Sequence, residues 1–246
     1  TVTNHNEYIK SLVEANLIMT ALYSNAFEKV TDDIVEVLRY KYNNSINTKT
    51  TITLGANYVG LYDKYDELIR KKLKQKEIPF YQDNVNLVET IILRVSSKGT
   101  QKQLENDELA IQGGNRATLQ VNKTITKTIP KDELPNFFIL ESDTLKIMKL
   151  KIWRHNTLHC TLAFIGKYLE KEFIYESACD DYASKCAFYA SEEGDKGLST
   201  VYGEDILPTK NDLKGTWDSY RDNSIKDTIK RVGRDPLRKL SRNERF

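Results

Sequence analysis

Cysteine is scarce in these 246 residues: three occur, Cys160, Cys179 and Cys186. An odd number at irregular spacing is no disulfide framework, so a reducing, cytoplasmic compartment is expected. Eleven glycines and five prolines are too few for a linker-rich or disordered chain. No stretch approaches the roughly 18 apolar residues of a membrane-spanning helix. Apolar runs such as Ala187–Ala190 soon meet charge. The start shows no basic-then-apolar signal segment. A charge excess of one sign is missing too. Lys plus Arg number 37 and Asp plus Glu 35, a net charge of +2. A sequence-independent nucleic-acid binder carries a larger surplus. Neither a membrane nor a nucleic acid is therefore expected as a partner.

What is present suits a packed core under a solvated surface: 39% hydrophobic and 29% charged residues in 28.4 kDa. That size allows one large domain or two modest ones. The first half alternates strand-like and helix-like text. Ala15–Leu22 has the length of a buried strand. Phe27–Tyr42 follows, with Val30, Ile34, Val35, Val37 and Leu38 at helical spacing, and Thr31-Asp32 as a cap from which the helix proper is expected to start. Thr50–Leu54 is β-branched and reads as a strand. Gly55 and Gly60 bracket a turn into a helix over about 61–74, and Val85–Val95 reads as a third strand. Strand, helix, strand, helix, strand is the text of a parallel α/β sheet. Residues 96–115 are polar and read as a loop or insertion. Arg116–Thr128 reads as a strand or hairpin with one wet face.

The second half is helical almost throughout. A long, nearly all-round apolar helix is expected from Ser142-Asp143, its cap, through Ile165. A second is expected over Glu172–Ser191, then a turn at Gly194 and Gly197, a short third helix, and one over about 210–221. The expected architecture is α/β followed by all-α. A partial parallel sheet occupies residues 1–140 and a helical domain residues 141–246.

The most informative stretch is Lys151-Ile-Trp-Arg-His155-Asn156-Thr-Leu-His159. On an α-helix, Asn156 stands at about 140° and His159 at about 80° from Lys151, so the three share a face. Asn156 and His159 are i,i+3 neighbours. Burial lowers a lysine pKa and lets the amine act as a base near neutral pH. An amide can donate to a developing alkoxide, and an imidazole can bind a hydroxyl. Spacing alone equally admits a lysine that snorkels to water beside an amide and an imidazole satisfied between helices. His155-x3-His159-Cys160 has ligand spacing for a metal but lacks the glutamate of a metalloprotease helix, and no metal is expected.

Lys151-x4-Asn156-x2-His159 resembles the signature of the polyol-specific long-chain dehydrogenases, the mannitol dehydrogenase family. The segment Asn223-Ser-Ile-Lys226-Asp227-Thr-Ile-Lys230-Arg231-Val-Gly-Arg234-Asp235-Pro236-Leu237-Arg238-Lys239-Leu240-Ser241 is similar to that family's branch acting on mannitol 1-phosphate. Leu17–Val30 resembles the late Rossmann strand and helix that abut the cofactor, and Thr53–Asn57 the strand end that reads acid-Asn. Ala56 departs from the acid. Val88-Glu89-Thr90 to Leu93-Arg94-Val95 resembles a further motif, with Leu93 where an Asp is usual. The resemblance implies a Rossmann-type domain joined to a helical substrate domain, with NAD as cofactor. It implies oxidation of a sugar alcohol phosphate to a ketose phosphate, mannitol 1-phosphate to fructose 6-phosphate. Lys151 would be the general base, Asn57 and Asn156 would hold the oxygen, and His159 would orient a substrate hydroxyl. Thr20, Ala21 and Asn57 would lie against the cofactor. Relatives acting on mannitol or on sugar acids are the alternatives, as is a non-catalytic binding module. Eight basic residues between Lys226 and Arg245 face three acids. Arg231, Arg234 and Arg238 are the candidates for the substrate phosphate, since arginine forks suit phosphate; arginines paired with acids are the plainer reading. The Gly-rich turn that cradles a dinucleotide pyrophosphate is not in this sequence. Residues beyond this stretch are therefore expected, because half a sheet leaves an open edge.

Overall fold

A computed structural model describes residues 4–93, 96–113 and 118–239. Arg94, Val95, Arg116 and the stretch 240–246, with Arg242 and Arg245, lie outside the described residues, as does the side chain of Arg238. The chain divides into two compact units, Thr1–Thr144 and Leu145–Phe246.

The first unit runs α1 (His5–Glu14), β1 (Leu17–Ala21), α2 (Phe27–Asn43), β2 (Thr50–Gly55), α3 (Leu61–Lys72), α4 (Ile78–Asn84) and β3 (Val85–Ile91). It continues with β4 (Ser96–Lys98), α5 (Gln101–Asn106), β5 (Ile111–Gly113), β6 (Leu119–Asn122) and β7 (Phe138–Glu141). Five strands form one sheet in the order β1-β2-β3-β6-β7. The first three are mutually parallel, β6 is antiparallel to β3, and β7 is parallel to β6. β2 is buried at every position, as a β-branched run covered on both faces should be. Side chains alternate between the faces. Ile52, Leu54 and Leu87 pack under Ile34, Val35 and Leu38 of α2 and Leu61, Tyr65 and Ile69 of α3. Val88 faces the other way, toward Val121 and Ile125.

The expected strand–helix alternation is present, with four local differences. α2 starts at Phe27, not at Thr31, whose hydroxyl is buried and turns back to the Glu28 carbonyl at 2.9 Å. β3 ends at Ile91. Residues 96–113 hold a small antiparallel pair, β4 with β5, around α5. α1, α4 and β7 are further short elements, of ten, seven and four residues.

The second unit contains α6 (Thr144–Leu150), whose first residue closes the first unit, a π-helix over Lys151–Asn156, α7 (Thr157–Tyr168) and α8 (Ile174–Cys179). Then come α9 (Asp181–Tyr202), α10 (Lys210–Arg221), α11 (Ile229–Val232) and α12 (Pro236–Lys239). Its core joins Leu158, Leu162 and Ala163 of α7 to Ala178 of α8, Ala183 and Ala187 of α9, and Ile229 and Val232 of α11. The helix expected over 172–191 is two helices. They part at Asp180, whose Oδ1 accepts from the Tyr182 and Ala183 amides at 3.0 and 3.1 Å and so caps α9. The turn expected at Gly194 and Gly197 does not form, and α9 passes straight through both. Gly194 lies against the Trp153 carbonyl, where a Cβ would overlap the oxygen. That close approach between helices outweighs the roughly 1 kcal/mol a helical glycine costs. Among the described residues no helix is long and apolar enough to cross a membrane.

Candidate active site

In the first unit the expected site residues gather where the parallel strands end. Ala21, Gly55 and Thr90 stand side by side in register. Open parallel sheets bind ligands outside these carboxyl ends. The strand ends are tightly drawn together. A Cβ on Gly55 would lie 2.7 Å from the Thr20 carbonyl oxygen. The Thr20 hydroxyl donates to the Thr53 carbonyl at 2.9 Å and that of Thr90 to the Leu54 carbonyl at 3.0 Å. Asn57 sits two residues past β2, exposed at that end, while Ala56 packs on the core. Glu89 accepts from the Tyr62 amide at 3.0 Å and from the Thr144 hydroxyl at 2.9 Å, and Asn122 donates to Thr144 at 3.1 Å. This carboxylate thus ties β3 to the starts of α3 and α6.

In the second unit Lys151 opens the π-helix and Asn156 closes it. π-turns bond i to i+5 and recur at functional sites. Here the Thr157 amide reaches the Ile152 carbonyl, and the Thr157 hydroxyl adds a second bond to it at 3.3 Å. The α-helical arithmetic of 100° per residue therefore does not hold across this segment. Lys151 and Asn156 are i,i+5, one turn of the wider helix, and so stand closer in angle than an α-helix places them. Both are half-buried. Burial of the Lys151 ammonium lowers its pKa to about 8.

His159 follows on the first turn of α7. Its Nε2 lies 3.0 Å from Asp227 Oδ2. Arg231 grips the same carboxylate, Nε to Oδ1 at 2.7 Å and Nη2 to Oδ2 at 2.6 Å. Asp227 falls to about 2: burial pushes it up, and the His159 and Arg231 bonds override that. The Tyr220 ring lies 5.1 Å from the imidazole, tilted by 34°, and its hydroxyl donates to the His155 carbonyl at 3.3 Å. Of the three arginines expected at a phosphate, Arg231 is thus paired with Asp227, Arg234 is exposed, and Arg238 lies on α12. On the α9 side of the π-helix, Arg154 is 3% exposed and its Nη1 stands 3.4 Å from Asp195 Oδ1. Burial lowers the guanidinium and raises the carboxyl. Among the described residues no group of three or more His, Cys, Asp or Glu side chains could hold a metal.

The structure therefore brings Lys151, Asn156 and His159 onto one continuous helix, while Asn57, Thr20 and Ala21 belong to the first unit. Sequence reasoning did not single out Asp227, Tyr220, Arg154, Asp195 or Glu89 as site residues. Asp227 stood inside a motif already quoted. Glu89 and Arg154 stood inside quoted stretches too, whereas Tyr220 and Asp195 carry no local signal, because each acquires its partner only through folding.

No family model matches the sequence. Among solved structures, the chain is similar to Pseudomonas fluorescens mannitol 2-dehydrogenase in a ternary complex with NAD and D-mannitol. The TM-score is 0.73 at 13% identity, over 93% of this chain and 54% of that one. It is also similar to D-sorbitol dehydrogenase in substrate-free form, with a TM-score of 0.64 at 13% identity, over 96% of this chain and 56% of that one. The chain spans about half the length of each. At this identity the likeness establishes the fold: a Rossmann-type parallel sheet unit followed by a helical unit, as in those two dehydrogenases.

Proposed function

We propose that the chain is the substrate-handling part of a NAD-dependent polyol dehydrogenase. One observation carries this reading. A desolvated lysine opens a π-turn that an asparagine closes, with a paired histidine on the next turn. The neutral Lys151 Nζ takes the substrate hydroxyl proton. Asn156 donates to the oxygen as negative charge builds there. One such donor is worth roughly 3–4 kcal/mol in the transition state. His159 orients a neighbouring hydroxyl.

NAD, when bound, supplies the hydride acceptor. Small residues and an exposed carboxamide at the strand ends suit its flat nicotinamide end, and Thr20, Ala21 and Asn57 are the residues that would lie against it. A pyrophosphate cradle is not among the residues of this sequence. Lys151 sets the pH response. Its base form grows as pH rises through about 8, so polyol oxidation increases in that range. Below it the ammonium returns the proton in the reverse direction.

The finer reading is mannitol 1-phosphate to fructose 6-phosphate. The basic C-terminal segment supports it, with the phosphate on Arg234 and Arg238. The engagement of Arg231 by Asp227 favours a second reading, a substrate without phosphate such as mannitol. The test is to mix the full-length protein with NADH and either fructose 6-phosphate or fructose, and follow nicotinamide absorbance. Oxidation that Lys151→Ala abolishes supports the dehydrogenase. The preferred ketose decides between the two substrates. No NADH binding at all leaves a non-catalytic relative.

A further inference from the structure

We infer that Asp227 and Arg231 are positioning residues that fix the tautomer of His159, so that its Nδ1 faces the substrate as a hydrogen-bond acceptor. This rests on the polyol dehydrogenase reading and gives its histidine a defined role.

The argument starts from the carboxylate. Asp227 is ionised across the physiological range and can only accept. The nitrogen 3.0 Å from it is therefore Nε2–H. In a neutral imidazole the other nitrogen then carries the lone pair. Among the described residues Nδ1 has no protein partner. A substrate hydroxyl that meets it must donate, which leaves that hydroxyl oxygen open to other donors.

The carboxylate is itself immobilised. Arg231 holds both its oxygens from one turn away. Its backbone is stitched to the start of α8: the Asp227 carbonyl accepts from the Ile174 amide at 2.9 Å, and the Glu172 carbonyl from the Ile229 amide at 2.9 Å. The neighbouring Lys226 ammonium lies 5.3 Å from the Phe173 ring and 4.8 Å from that of Tyr175. The Thr228 hydroxyl caps α11 by accepting from the Arg231 amide at 3.2 Å. On its other side the imidazole meets the Tyr220 ring of α10. A side chain held this way has one orientation and one tautomer, the arrangement by which a carboxylate directs a catalytic histidine elsewhere. Arg231 also keeps the Asp227 charge from acting on His159 alone. The titratable and charged groups around the ring are Asp227, Arg231, Tyr220 and the adjacent Cys160, whose sulfur Lys239 approaches at 3.9 Å.

Imidazole 15N NMR on the full-length protein tests this directly. There are three histidines, and His159→Gln assigns the signal. The expected wild-type pattern is Nε2–H. Asp227→Asn offers an amide N–H to Nε2, so the proton is expected to move to Nδ1. kcat/KM for the polyol then falls about tenfold or more, because an acceptor has become a donor. Arg231→Gln leaves the carboxylate in place and lies on the surface, so it keeps the fold should Asp227→Asn lose it. It is expected to retain Nε2–H and to lose less kcat/KM than Asp227→Asn, because the carboxylate still accepts from Nε2. A wild-type Nδ1–H pattern overturns the inference, as does an Asp227→Asn protein that keeps Nε2–H at unchanged kcat/KM. An Nε2–H histidine in a protein that oxidises no polyol supports the tautomer assignment and counts against the dehydrogenase reading alone.

Discussion

The strand ends of the sheet unit and the π-helix region of the helical unit commit their polar side chains differently. At the strand ends and beneath α2, they bond to nearby backbone and hydroxyls, while the ion pairs of this unit, such as Arg39 with Glu77 and Lys72 with Asp32, lie along its helices. Thr20 and Thr90 cap strand carbonyls. Lys41, only 1% exposed, is held by Thr50 Oγ1 at 2.6 Å and by Thr48, with no carboxylate partner among the described residues. Around the π-helix and α7 charged groups face one another: His159 bonds to Asp227 and Asp227 to Arg231, and Arg154 stands 3.4 Å from Asp195 as an ion pair. A hydroxyl tied to its own backbone is scaffold. A charge paired at partial burial stays sensitive to its partner and to pH. The strand ends are thus a platform tied to its own backbone, and the segment around the π-helix is held by paired charge.

The sharpest way to break that division is Lys151→Met. We expect kcat to fall by about 10³-fold, within the usual range for a general base. Urea midpoints should hold or rise, because a desolvated amine is removed. An active Lys151→Met protein would move the chemistry out of the helical unit. Asn156→Ala is next, with an expected loss of about 10² in kcat and little in KM. Asn57→Ala, read by the same steady-state assay, should raise the KM for NAD, since Asn57 is proposed to lie against the cofactor.

The π-helix offers a test that needs no substrate. Gly194→Ala pushes a methyl into the Trp153 carbonyl, and we expect a cost of about 1–3 kcal/mol in urea unfolding. Gly197 lies one turn on in α9 with nothing within 4 Å of an added Cβ. Gly197→Ala should therefore stabilise by up to about 1 kcal/mol, the helical propensity difference. Equal effects from both would mean that α9 does not brace the π-helix.

Acid unfolding should separate the units as well. Folded Asp227 titrates at about 2, below its usual value of 3.8. A depressed carboxyl adds stability that is complete above the unfolded pKa and is lost as pH falls through the folded one. The helical unit should lose up to about 2 kcal/mol between pH 4 and pH 2. Asp227→Asn should flatten that slope, followed by helical circular dichroism against pH.

The sheet unit was the more legible of the two in the sequence. Thr50–Leu54 announced a buried strand by β-branching, and Phe27–Tyr42 a helix by its apolar spacing. Both periods survive folding because each element repeats one geometry. The helical unit hid its decisive feature. Nothing in Lys151–Asn156 distinguishes a π-turn from an α-turn, and its neighbours Gly194 and Asp195 come from α9, about forty residues on. The same holds for Gly194 itself, which reads as a turn in isolation and is a contact in the fold. Lys151, Asn156 and His159 were visible through a family pattern, whereas the partners that fix His159 come from a segment more than sixty residues on.

The smallest expected effect probes the platform itself. Thr20 lies at the strand end where a cofactor would rest, yet its hydroxyl is already given to the Thr53 carbonyl at 2.9 Å. Thr20→Val keeps the β-branched shape and removes that bond together with the one between the Thr20 and buried Tyr65 hydroxyls. We expect a stability loss of about 1 kcal/mol and an NADH affinity in the full-length protein within about twofold of wild type, well under the tenfold that 1.4 kcal/mol represents. Thr20→Ser restores the donor and should recover most of the stability. If Thr20→Val instead weakens NADH binding tenfold with unchanged urea stability, the hydroxyl serves the cofactor and not the sheet. The contrast between a backbone-tied platform and a segment held by paired charge would then fail at that strand end.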